Sequence, residues 1–206
     1  MELTDEALLE SFRKTGNSDC FTTLVRRYQD RLYNLAYRVL TNEEEAEEVV
    51  QDTFLRIHEG ASNFRTSNVF AGWLFRIAHN ACLDILRTRQ KEIGNLSFDD
   101  TQPIRDGVEK TRLVLQQIAD GKVGPEENVR LQEQAQLIEE SLKELPDEQR
   151  VVVVLRDVEG FSYEEIASIV GSSAGTVRSR IHYGRLKLRE LLRSYVLAAD
   201  SAPLSR

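Results

Sequence analysis

The chain has 206 residues, with 27 Lys+Arg against 34 Asp+Glu and a formal net charge of −7. With 41% hydrophobic and 30% charged residues it falls outside the disordered and fibrous classes, and no apolar run approaches the ~18 residues of a membrane span. An acidic start (Met1-Glu2-Leu3-Thr4-Asp5-Glu6) with no basic, then apolar, leader, and two isolated cysteines, Cys20 and Cys82, predict a cytoplasmic protein with reduced thiols and no membrane insertion. A short helix is expected near residues 4–14. Phe21, Leu24, Val25, Tyr28, Leu32, Leu35, Ala36 and Val39 then recur at three- and four-residue spacing, one apolar stripe of a long helix. Thr41-Asn42 breaks it, and Asn42 with Glu45 three residues on reads as a capped restart. Ala46, Val49, Val50, Thr53, Phe54 and Ile57 form the next stripe. After a loop from Gly60 to Asn68 around Phe64, a third helix carries Phe70, Trp73, Leu74, Ile77, Ala81 and Ile85 inward.

From about Glu92 the periodicity weakens among Pro103, Gly107, Gly121 and Gly124, with one short helix possible at 108–119. Pro125 suits the first turn of a new helix, and apolar spacing returns through Val129, Leu131, Leu137, Ile138, Leu142 and Leu145. Val151-Val152-Val153-Val154-Leu155 has strand-like propensity, yet Pro146-Asp147-Glu148-Gln149 is a helix start and no partner strand is near; a buried helix is expected. The fold class is therefore all-α: two small helical domains joined by a flexible linker. The boundaries are 1–91, a linker 92–125, 126–195 and a tail 196–206.

Ser162 to Arg189 is the most informative stretch. Ser162 and Glu165 form a capping box, Ile166, Ala167 and Val170 face inward, and Gly171 permits a tight turn. Ser172 or Ser173 caps a second helix with Val177, Ile181 and Leu188 inside and Thr176, Arg178, Ser179, Arg180, His182 and Arg185 outside. A short capped helix, a glycine turn and a basic second helix describe a helix-turn-helix whose second helix can enter a major groove. From geometry alone, a plain helical hairpin with a solvated basic face remains open.

Val158-Glu159-Gly160-Phe161-Ser162-Tyr163-Glu164-Glu165-Ile166-Ala167 with Gly175-Thr176-Val177-Arg178-Ser179-Arg180-Ile181-His182 resembles the promoter-reading C-terminal domain of bacterial sigma-70 family sigma factors, and of their extracytoplasmic-function (ECF) group most of all. Leu145-Pro146-Asp147-Glu148-Gln149-Arg150 fits the same domain. Ala46-Glu47-Glu48-Val49-Val50-Gln51-Asp52-Thr53-Phe54-Leu55-Arg56 resembles the family's polymerase-binding helix, and Phe70-Ala71-Gly72-Trp73-Leu74-Phe75-Arg76-Ile77-Ala78-His79-Asn80 its promoter-melting helix. The resemblance spans residues 20–90 and 126–195. It implies a non-catalytic subunit that binds core RNA polymerase, reads the −35 element as duplex through its second domain, and opens the −10 element through its first. No cofactor is implied.

Site expectations follow. For the −35 duplex they are Ser172, Ser173, Thr176, Arg178, Ser179, Arg180, His182 and Arg185. For the −10 element they are Phe64, Arg76, Asn80, Asp84 and Arg87; the last four share one helix face at spacings of four, four and three, and Asn80 is the polar partner expected for a flipped base. An ion pair between Asp84 and Arg87 is the bland alternative, and core packing is expected for Phe70 and Trp73. Glu45, Glu48, Gln51, Asp52 and Leu55, beside Glu44, are expected to meet the clamp helices of the polymerase's large subunit. Promoter DNA and an anti-sigma protein, common in this group, are further expected partners. His79 and Cys82 lie three apart but lack two more convergent ligands, so no metal site is expected. Tyr183 and Gly184 stand where family members often carry a basic residue and a small one.

Charge follows the same division. Residues 1–60 carry net −6, 61–91 carry +4, 92–126 carry −3, 127–165 carry −7 and 166–206 carry +5. Charges act together only within about 8–10 Å at physiological salt, so the two basic islands coincide with the two expected DNA readers. The alternative function is an autonomous helix-turn-helix repressor or activator. It gives no task to the acidic first 60 residues, and one recognition helix normally reads only a half-site.

Overall fold

The computed structural model describes residues 3–64, 69–93 and 137–193. The linker from residue 94, its possible helix at 108–119, the helix start at Pro125 and the tail from 196 lie outside them. Among the described residues there are helices and no strand. The chain divides into two compact units, residues 1–98 with 162–174 and residues 99–161 with 175–206, and each is taken by itself.

In the first unit, α1 (Asp5–Thr15) starts at Thr4, whose Oγ1 accepts the Ala7 N–H at 3.3 Å, and ends on Gly16 in the left-handed region. α2 (Ser18–Leu40) ends at Thr41, a β-branched residue with φ 56°, whose N–H donates to the Tyr37 carbonyl at 2.7 Å. Asn42 follows at once, and its Oδ1 accepts the Glu45 N–H at 3.1 Å to begin α3 (Glu43–Gly60), the capped restart that the spacing predicted. So short a connection makes α2 and α3 packed neighbours. Leu24, Leu32, Leu35, Ala36 and Val39 of α2 and Ala46, Val49 and Ile57 of α3 are buried. A single 3-10 turn (Ala61–Asn63) precedes α4 (Phe70–Ile93).

The buried face of α4 is turned relative to the expected stripe. Phe70, Leu74 and Ala81 are inside as expected, but the other buried positions are Phe75, Ala78, His79, Cys82 and Leu86, while Trp73, Ile77 and Ile85 are half-exposed. Apolar residues fill most positions from 70 to 86, so periodicity alone leaves the rotation loose. Packing against α2 and α3 sets it, with Arg31 of α2 over the Phe75 ring at 5.1 Å.

In the second unit, helical residues 137–143 (α5) lead through Pro146 into α6 (Asp147–Asp157). Val151, Val152, Val153, Val154 and Leu155 are all buried, so the strand-like run is a helix enclosed on every side. Each such side chain contributes roughly 1.5–3 kcal/mol by leaving water, more than its weak helix propensity costs. Arg150 is buried and its guanidinium donates to the carbonyls of Leu142 at 2.8 Å, Lys143 at 2.9 Å and Leu145 at 2.8 Å, satisfying the open end of α5. α8 (Ala174–Leu191) adds Val177, Ile181 and Leu188. Gly184 is buried against α6: a Cβ there would stand 2.8 Å from Val153 Cγ2 and 3.5 Å from Gln149 Cβ. Only a small residue allows this helix approach.

Candidate nucleic-acid and polymerase interfaces

On α4 the residues Arg76, Asn80, Asp84 and Arg87 are all exposed and lie along one face, away from Leu74, Ala78 and Cys82. Arg87 Nη1 and Asp84 Oδ1 are 3.3 Å apart, so the expected i,i+3 pair forms within the row and leaves both side chains solvated. Such a row offers guanidinium donors for phosphates and, at Asn80, an amide with both donor and acceptor for a base edge. Phe64 does not join it. It is 6% exposed, with its ring centroid 5.1 Å from Trp73 and 6.2 Å from Phe70. The expectation of Phe64 as a base contact is therefore corrected: its aromatic surface is already covered by the two rings that begin α4.

On α3, Glu44, Glu48, Gln51 and Leu55 are exposed at spacings of four, three and four, one continuous strip. Leu55 is 56% exposed. Asp52 is half-buried and salt-bridged to Arg56 at 2.8 Å. Glu45 turns aside from the strip: its carboxylate accepts from Arg89 of α4, which also donates to the Leu40 carbonyl at 3.0 Å. Sequence reading grouped Glu45 with the outward acids; in the fold it ties α3 to α4 across 44 positions.

The capping box of α7 (Tyr163–Val170) is present in both directions. Ser162 Oγ accepts the Glu165 N–H at 3.2 Å, and Glu165 Oε2 accepts the Ser162 N–H at 2.7 Å. Ile166 and Ile169 are its buried residues; Ala167 and Val170 are only half-buried. Gly171 closes it with φ 66°, and α8 begins directly after Ser173. Ser173, Thr176, Arg178 and Ser179 are exposed at the start of α8, and Ser172 and His182 are half-exposed. Arg180 is half-buried and ion-paired with Glu148 of α6. Arg185 is not on the outer face. It is 8% exposed, with Nε donating to Asp157 Oδ2 at 2.9 Å and Nη2 to Oδ1, and Asp157 is 1% exposed. The assignment of Arg185 to DNA is corrected, because a bidentate pair at the α6–α8 junction occupies it.

His79 and Cys82 are both buried in the first unit, and among the described residues no three His, Cys, Asp or Glu side chains converge on a cation site. Burial pushes the Cys82 thiol up to about 12. Cys20 is half-exposed. Among the described residues no helix is long and apolar enough to cross a membrane.

Along the chain, a capped helix, a glycine turn and a basic helix follow in the order of a helix-turn-helix, and α4 carries a solvent-facing Arg/Asn/Asp row. The sigma-70 region 2 model matches residues 24–92 and the sigma-70 region 4 model residues 135–188. The chain is 36% identical over 180 residues to the ECF RNA polymerase sigma factor SigW of Bacillus subtilis, spanning 87% of this chain and 92% of that protein. Against the ECF RNA polymerase sigma factor SigE of Mycolicibacterium smegmatis it is 36% identical over 192 residues, 93% and 68% of the two chains. Among solved structures it is similar to the sigma factor RpoE in complex with the anti-sigma factor NepR from Bartonella quintana, with TM-score 0.61, 25% identity, and coverage of 84% and 96%. It is likewise similar to CnrH in complex with the cytosolic domain of CnrY, with TM-score 0.61, 27% identity, and coverage of 96% and 99%. The chain belongs to the sigma-70 family of RNA polymerase sigma factors, in its ECF group. It binds core RNA polymerase, directs it to specific promoters and helps open promoter DNA. The autonomous-regulator alternative is not favoured, since a lone helix-turn-helix accounts for only one of the two matched regions.

Proposed function

We propose that residues 1–91 bind polymerase and open the −10 element, residues 126–195 read the −35 duplex, and the chain works in the cytoplasm without catalysis of its own. The observation carrying this division is the uninterrupted exposed row Arg76–Asn80–Asp84–Arg87, which no core function explains. On α3, the strip Glu44–Glu48–Gln51–Leu55 supplies the surface for the polymerase clamp helices: acids for a basic partner around one apolar anchor. On α8, Ser173, Thr176, Arg178 and Ser179 stand at the end that enters the groove, with Ser172, Arg180 and His182 flanking them.

The acidic sequence blocks that flank both basic islands oppose promoter binding by the free chain, so polymerase supplies most of the phosphate neutralisation. An anti-sigma protein, the kind of partner present in the solved RpoE–NepR neighbour, is the proposed antagonist. Run-off transcription with purified core polymerase tests the reading. Arg178→Ala is expected to weaken upstream duplex contact and spare a pre-melted template, whereas Asn80→Ala impairs opening read by permanganate reactivity. Equal defects of both variants in both assays would overturn the division.

A further inference from the structure

α4 carries the proposed −10 row, and the described residue at its start offers no side-chain cap. Val69 precedes Phe70, the first helical residue, and a valine side chain has no acceptor for the open N–H groups. Its first turn also holds no acidic residue to oppose the helix dipole. An acceptor for the first of these amides comes from α1. Glu6 Oε1 accepts the Phe70 N–H at 2.9 Å across 64 positions, in a part-buried setting.

α1 is itself held firmly enough to serve. The neighbouring Asp5 accepts from Arg27 Nη1 at 2.6 Å and from the Tyr28 hydroxyl, both on α2. Leu8 and Leu9 are buried, and the Phe12 ring lies 5.0 Å from Phe21. Tyr28 in turn meets the fully buried Phe70 ring edge-on at 5.5 Å. Consecutive carboxylates of one short helix thus grip two aromatic residues that touch each other, and the second is the first residue of α4. Arg76 follows within two turns. Fraying of the first turn would move the start of the row.

We propose that Glu6 is a positioning residue for promoter opening: a helix cap delivered by α1, a segment outside the matched region 2, that sets the first turn of α4 and hence Arg76 and Asn80. This rests on the reading of α4 as the −10 face, and the experiment separates the two. In the full-length chain, Glu6→Ala should speed amide exchange at residues 70–73 about five-fold, the usual loss for one cap. With core polymerase it should lower permanganate-detected opening of a duplex promoter by a similar factor and leave core binding unchanged. Glu6→Gln, which keeps an acceptor, should recover most of the loss. Glu6→Ala combined with Val69→Asp, which installs a local cap, should restore both exchange and opening. The proposal is overturned if exchange at 70–73 does not respond to Glu6→Ala, if the local cap fails to rescue, or if core binding falls in parallel. A full exchange response without an opening defect also overturns it, while Asn80→Ala in the same assay reports separately on the reading of α4.

Discussion

Replacing Arg185 with alanine should cost stability in the second unit and leave the DNA surface of α8 unaltered. The pair it forms with Asp157 is bidentate, and the acid is 1% exposed. Removing one partner from such a pair strands a buried charge, which costs about 3–5 kcal/mol. Domains are stable by only about 5–15 kcal/mol, so the loss is a large share of the total. Amide exchange in the full chain gives the measurement, with Val151–Leu155 as reporters and Leu32–Ala36 of the other unit as reference. Exchange at 151–155 should accelerate by at least about a hundred-fold, the lower end of that range. The double change Arg185→Met with Asp157→Leu should recover most of the loss, because an apolar pair of similar volume needs no desolvation. The reasoning is refuted if Arg185→Ala leaves exchange within about five-fold of the parent, a loss near 1 kcal/mol, while −35 duplex affinity collapses.

The buried Cys82 thiol, raised from 9.0 to about 12, should resist thiol reagents at pH 8 while Cys20 reacts. Because the folded value lies above the unfolded one, its contribution is complete below pH 9 and is lost as pH climbs toward 12; a Cys82→Ala chain should lack that part of the alkaline decline in a urea titration. Gly184→Ala should destabilise by about 1–3 kcal/mol despite alanine's better helix propensity, since its Cβ lands 2.8 Å from Val153, and Val153→Ala should relieve it in thermal unfolding. Glu148→Gln releases Arg180, and an exposed pair of this kind is worth at most about 1 kcal/mol, so duplex DNA should bind up to roughly five-fold tighter at low salt. Fluorescence anisotropy across a salt series checks this; the reasoning fails if affinity drops.

Much of the molecule was legible because it is local. The Asn42 restart, the Ser162–Glu165 box, the Gly171 turn and the Val151–Leu155 helix each depend on residues within a turn or two, and each stands where spacing predicted. The exposed Arg76–Asn80–Asp84–Arg87 row was legible for the same reason. Arg185 is instructive: it sits four residues after Ile181 and three before Leu188, an inward register, but charge argued for the outside. Periodicity was the better guide, and an acid two residues beyond the buried Val151–Leu155 run, Asp157, was the signal that an arginine had to meet it.

The net charge of −7 divides between two basic islands and their acidic surroundings, and composition along the chain determined that division together with the all-helical class and the order of the two regions. Tertiary structure alone decided which charges are free to act. Arg89 takes Glu45 across 44 positions, Arg185 takes Asp157 across 28, and Glu6 takes the Phe70 amide across 64. Helix spacing places a side chain on a face; only packing brings distant faces together, and an ion or amide enclosed by that packing must find its partner there rather than in water or on DNA.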